Sequence, residues 1–145
     1  IRPMKRDVLL DTGPLVAFIN ARDKYHNWAL LHWAEISPPL LTCEAVISEA
    51  SFLLRGIKGG QSAVIELLKR NVIHLPIRID EHLIQIKGLL EKYSDVPMSL
   101  ADACMVRMSE LYPDSILLTM DNDFKVYRRN KRQVIPVLFP PDISK

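Results

Sequence analysis

Five carboxylates in this 145-residue chain sit where an acid needs a reason: Asp11, Glu49, Asp102, Asp121 and Asp123. Asp11 and Asp121 each close an apolar run, Val8-Leu9-Leu10-Asp11 and Leu117-Leu118-Thr119-Met120-Asp121. Glu49 interrupts the apolar stretch from Cys43 to Leu54, Asp102 lies among small and apolar neighbours between Pro97 and Val106, and Asp123 follows Asp121 by two residues. An acid on an apolar face is costly unless it is paired, hydrogen-bonded or bound to metal. Taken singly, each has a plainer explanation as a helix cap or a satisfied residue at the core's edge. If the five converge, like charges push their pKa values up unless a cation compensates. Oxygen-only donors in that number suit Mg²⁺ or Mn²⁺ rather than zinc. Two such ions, roughly 3.5–4 Å apart, can activate a water and stabilise the leaving oxygen of a phosphodiester.

The remaining charge fits a polyanionic substrate. Taking the five from the seventeen acids leaves twelve against nineteen cations, a remainder of +7 around an acidic pocket. Lys125, Arg128, Arg129, Lys131 and Arg132 form a run without an anion, which is read as a short basic helix. These five cations are the candidate nucleic-acid contacts, with a solvated helix face as the plainer alternative.

The elements that must position the acids follow from periodicity. Val8–Leu10 and Ile116–Thr119 read as strands buried on both faces, which appear as unbroken apolar runs. Leu40-Leu41-Thr42, Val72 to Leu75 and Val134 to Leu138 are further strand candidates. Helical spacing is read over a stretch opened by Pro14, and over 25–36, 43–55, 61–71, 80–93 and 97–111. Strands alternating with helices imply a three-layer α/β/α fold around a parallel sheet of four or five strands. Right-handed crossovers put the strands' carboxyl ends on one rim, where open α/β sheets bind ligands. Asp11 and Asp121 then meet on that rim if their strands are neighbours.

Length and composition place residues 1–145 in one domain, with Met4 as the expected natural start and Ile1–Pro3 outside it. The 48% hydrophobic and 25% charged content is that of an ordinary globular protein. No apolar run reaches the roughly 20 residues of a membrane span, and Asp11 interrupts any secretory signal, so a cytoplasmic location is expected. Cys43 and Cys104 lack metal or redox spacing and are read as small buried hydrophobes. His26, His32, His74 and His82 lack ligand spacing and are read as surface or boundary residues.

In their order and spacing these motifs resemble the PIN domain, the fold of many Mg²⁺/Mn²⁺-dependent ribonucleases and of VapC-type toxins. The resemblance rests on the strand closing on Asp11, on Thr42 with Glu49 seven residues on, on Ser99-Leu100-Ala101-Asp102-Ala103, and on Leu118-Thr119-Met120-Asp121-Asn122-Asp123-Phe124. It implies Asp11, Glu49, Asp102 and Asp121 as metal ligands, Asp123 as a fifth, and Thr119 as a hydrogen-bonding support. It further implies hydrolysis of RNA to a 5′-phosphate and a 3′-hydroxyl, a homodimer, and a partner antitoxin. Trp28 and Trp33 are read as core, with a dimer face or antitoxin groove as the alternative. Two competing functions remain: a phosphotransferase or phosphatase using Asp11 as phosphoacceptor, and a non-catalytic RNA-binding module. The first lacks a second aspartate two residues after Asp11, and the second leaves Glu49 and Asp102 unexplained.

Overall fold

Val8, Leu9 and Leu10 are buried along their whole length and form β1 (Val8–Leu10), the middle strand of the sheet. The computed structural model describes residues 6–141, so the expectation at Met4 lies outside the described residues. On one side β1 pairs in parallel with β4 (Ile116–Leu118), in the register Val8 with Ile116, Leu9 with Leu117 and Leu10 with Leu118. On the other it pairs with β2 (Leu40–Leu41), which in turn pairs with β3 (Ile73–His74). A fifth strand, β7 (Val137–Leu138), lies outside β4 and gives an all-parallel order β3-β2-β1-β4-β7.

Helices cover both faces, so the fold is the expected three-layer α/β/α. They are α1 (Thr12–Ile19), α2 (His26–Glu35), α3 (Glu44–Leu53), α4 (Gly60–Lys69), α5 (Leu83–Lys92) and α6 (Leu100–Leu111). α1 packs against α2, α3 and α4, while α6 packs against β1 and β4 and carries α5 on its outer side. The α6 residues Ala101, Ala103, Cys104, Met105, Val106 and Met108 are all buried, because the helix is enclosed by sheet and neighbouring helices. Trp33 is core, stacked on Phe18 at 4.0 Å, and Trp28 packs half-buried against the core cluster. Cys43 and Cys104 are buried free thiols, and the contact with Cys104 together with burial pushes the Cys43 thiol up. His26 and His82 are half-buried boundary residues, His26 hydrogen-bonding the carbonyl of Ala17 at 2.7 Å.

The structure departs from the sequence expectations in four places. The helix expected from residue 80 starts at Leu83, because a 3-10 turn (Ile79–Glu81) precedes it. Helical spacing would turn Leu83 and Leu53 inward with their apolar neighbours, yet both are exposed, since they sit at helix ends beyond the packed stripe. No basic helix follows Asp123. A 3-10 turn (Asn122–Lys125) leads into an antiparallel hairpin, β5 (Arg128–Arg129) with β6 (Gln133–Val134), turned through Asn130 and Lys131 in left-handed backbone. The expected strand Val134 to Leu138 is therefore split. Its start belongs to this hairpin and its end is β7 (Val137–Leu138), with Pro136 between them offering only its carbonyl, to the amide of Leu117.

Candidate active site

The carboxyl ends of β1 and β4 open into a cavity of about 540 Å³ lined by Asp11, Thr12, Glu49, Asp102, Met120 and Asp121, among others. Four acids widely separated in sequence thus share one space, each delivered by a different element. Pairing of Leu10 with Leu118 sets Asp11 beside Thr119, and the amide of Asp11 extends the ladder to the carbonyl of Leu118. On the other side, the buried Thr42 hydroxyl donates to the carbonyl of Leu10 at 2.7 Å and ties the end of β2 to β1. α3 supplies Glu49, α6 supplies Asp102, and the turn after β4 supplies Asp121.

Each aspartate is fixed differently. Asp11 precedes α1, yet its side chain makes no cap hydrogen bond, which removes the plain explanation for its presence. Its Oδ2 instead accepts from the Thr119 hydroxyl at 2.6 Å, and the oxygen of that hydroxyl accepts the amide of Asp121 at 3.0 Å. One buried threonine therefore links both strand-end acids. Asp102 does have a capping role, since it forms a capping box with Ser99 at the start of α6. Its Oδ2 also accepts the phenol of Tyr127 at 3.1 Å. Asp121 caps the following turn through the amide of Asp123, at 2.9 Å. Asp123 lies half-buried on that turn and is not part of the cavity wall. Glu49 is exposed at the cavity's edge, so only part of the expected cost of burying it on an apolar face applies.

Burial and mutual repulsion act on the cluster together. Asp11 is pushed up to about 7, chiefly because it is buried, against the lowering effect of Thr119 and with further raising by Asp102 and Asp121. Burial, then the charges of Asp102 and Asp121, raise Glu49. Burial also raises Asp102, helped by Asp121, and it raises Asp123 beside Asp121. No cation of the chain forms an ion pair with these acids among the described residues.

An all-oxygen set of crowded carboxylates fits a hard divalent cation. A second observation agrees with a polar occupant: the Thr12 hydroxyl, on a residue lining the cavity, is buried without a hydrogen-bond partner. Among the described residues, no three acidic, histidine or cysteine side chains stand close enough to form a ready-made ion site.

The basic run divides into two groups. Lys125, Lys131 and Arg132 are exposed. Arg129 is buried, and its guanidinium donates to the carbonyls of Ser109 and Pro113 at 2.8 and 2.9 Å, so it is a structural strap and not a nucleic-acid contact. Arg128 is half-buried and turns back onto the carbonyls of Lys125, Val126 and Tyr127. Sequence reasoning missed Ser99 and Tyr127 as partners of Asp102. The Ser-x-x-Asp capping pattern at 99–102 was a usable signal for the first. A lone tyrosine inside a basic run carried none for the second.

No helix among the described residues is long and apolar enough to cross a membrane. Among curated proteins, none matches the sequence. One solved structure similar to this chain is the Mycobacterium tuberculosis toxin VapC20, described as cleaving the sarcin–ricin loop. It is 21% identical, with a TM-score of 0.74 over 83% of this chain and 94% of that one, a likeness of fold. The PIN domain family matches residues 8–130, from the first residue of β1 to the turn of the basic hairpin. With the four acids gathered at the sheet's carboxyl rim, that match over most of the chain settles its kinship: it belongs to the PIN domain family.

Proposed function

We propose that this protein is a divalent-cation-dependent endoribonuclease, and the toxin of a type II toxin–antitoxin pair. The observation that carries the reading is the convergence of Asp11, Glu49, Asp102 and Asp121 on one cavity, where no cation among the described residues pairs with them. In this reading those four residues hold one or two Mg²⁺ or Mn²⁺ ions, with Asp123 supporting Asp121 from the next turn. Once bound, the cation neutralises the crowded carboxylates and supplies positive charge to the phosphodiester under attack. Thr119 keeps the Asp11 carboxylate aimed and, through the amide of Asp121, holds the two strand ends together. Lys125, Lys131 and Arg132, on or near the hairpin, contact flanking phosphates of the RNA. Kinship with PIN proteins and the VapC20-like fold support an antitoxin partner, a homodimer and a cytoplasmic setting.

The test is cleavage of RNA by purified protein in Mg²⁺ or Mn²⁺, comparing the wild type with Asp11→Asn and Asp102→Asn. Both variants should lose at least 100-fold in rate while melting as cooperatively as the wild type. Undiminished cleavage by both variants overturns the assignment. Co-expression with a cognate antitoxin should relieve any growth arrest that the wild type causes and Asp11→Asn does not.

A further inference from the structure

Tyr127 lies outside the four acidic motifs, yet it is the only side chain besides Ser99 that hydrogen-bonds Asp102 among the described residues. Its ring is fully buried, edge-on to Tyr93 at 5.0 Å and to Phe124 at 5.2 Å. A phenylalanine would fill that space equally well, so packing does not account for the hydroxyl. The hydroxyl spends its proton on Asp102 Oδ2, 3.1 Å away, the same oxygen that accepts the amide of Ser99 at 3.2 Å. Two donors on one oxygen fix the rotation of a carboxylate. Fixing its ligands' orientation is what the second layer of a metal site contributes, commonly a factor of 10–100 in affinity or rate.

The segment after Tyr127 is fastened to the helices that carry and flank Asp102. The amide of Arg128 donates to the Tyr93 hydroxyl at 2.9 Å, and the Arg129 guanidinium grips the carbonyls of Ser109 and Pro113 at the far end of α6. The amide of Asn130 donates to Glu110 at 2.7 Å, and Lys92 reaches the carbonyl of Lys131 at 2.9 Å. The hairpin is therefore bound to α5, α6 and the residues just past them through five separate hydrogen bonds, and Tyr127 immediately precedes it. We infer that Tyr127 is a positioning residue for Asp102, and that the hairpin after it is a strap holding the phenol against that carboxylate. The inference rests on the cation site of the proposed function. It assigns the basic segment a second task beside contacting phosphate.

The experiment is a Mn²⁺ titration of the purified, RNA-free protein, following free Mn²⁺ by electron paramagnetic resonance, for the wild type and Tyr127→Phe. The variant should bind Mn²⁺ about tenfold more weakly and melt within a few degrees of the wild type. Cleavage of RNA should fall by a similar factor at limiting Mn²⁺ and recover as Mn²⁺ saturates. In an Asp102→Asn background, Tyr127→Phe should weaken Mn²⁺ binding no further, because the carboxylate it orients is gone. In the unaltered protein, adding Mg²⁺ should perturb tyrosine absorbance at a wavelength where Tyr127→Phe shows no change. Equal Mn²⁺ affinity in wild type and Tyr127→Phe, or an equal loss with and without Asp102, overturns the inference. A wild type that binds Mn²⁺ but cleaves no RNA defeats the ribonuclease reading alone, and the titration still decides the role of Tyr127.

Discussion

The Thr119 hydroxyl donates to Asp11 Oδ2 at 2.6 Å, joining residues 108 positions apart in sequence. The contact follows from register: Leu10 opposes Leu118, so the residues that follow them stand side by side at the sheet's rim. Because the same oxygen accepts the amide of Asp121, removing it loosens both acids. Thr119→Val keeps the buried shape and removes the hydroxyl. It should cost about 1–3 kcal/mol of stability, the range for leaving a buried hydrogen-bonding group without its partner. Mn²⁺ affinity should fall tenfold or more, and Thr119→Ser should restore most of it. Denaturant unfolding and Mn²⁺ titration measure the two effects.

Asp11 makes the metal-free fold sensitive to pH. Its carboxyl is held at about 7 in the fold, against 3.8 for the free side chain, so the native state keeps a proton that the unfolded chain releases. Stability from this group is complete below the unfolded pKa and is lost as pH rises from about 4 to about 7. Melting temperature in a chelator should therefore decline across that window. Asp11→Asn should flatten the decline, and saturating Mg²⁺ should also flatten it by favouring the ionised form. A wild-type profile indifferent to both changes would show that Asp11 is not the group responsible.

The hairpin cations should separate by burial. Replacing Lys125, Lys131 and Arg132 with alanine removes exposed charge. It should weaken RNA binding and reduce the slope of log affinity against log salt by up to about 2, at roughly 0.7 per single-strand phosphate contact. Arg129→Ala, by contrast, strands the carbonyls of Ser109 and Pro113. It should cost about 2–4 kcal/mol of stability by leaving buried polar groups unpaired. Filter binding at several salt concentrations, alongside thermal melts, distinguishes the two outcomes.

That division also marks where the sequence stopped being readable. β1 and β4 announced themselves because strands buried on both faces have no polar alternation to blur them, and Asp11 and Asp121 were conspicuous as charges ending such runs. Asp102 was visible as an acid among buried neighbours, although part of its reason is the cap it shares with Ser99. The hairpin was not visible, because its turn uses Asn130 and Lys131 in left-handed backbone without any glycine to signal it. A row of cations also reads alike whether it is solvated or, as at Arg129, folded inward onto carbonyls. Tyr127 was hidden for a related reason: a phenol's partner is fixed by tertiary packing and leaves no spacing in the sequence.

Gly13 offers a way to disturb the cavity with little disturbance of the fold. Its backbone is not left-handed, so conformational freedom is not why a glycine stands there. A Cβ added at Gly13 would lie 2.7 Å from Cε of Met120 and 3.3 Å from its Cβ, and both residues line the acidic cavity. The nearer contact is the end of a flexible, half-buried side chain, which can swing aside. Gly13→Ala should therefore cost about 1 kcal/mol or less, the low end for overpacking. The displaced Met120 has the cavity to move into, and it is bonded directly to Asp121. A misplacement of about 1 Å at a reacting centre can cost about 100-fold in rate, so cleavage should fall far more than stability does. Parallel measurements of RNA cleavage and thermal melting on Gly13→Ala test this. A variant that melts and cleaves like the wild type would mean that Met120 has room to move without entering the path of the substrate.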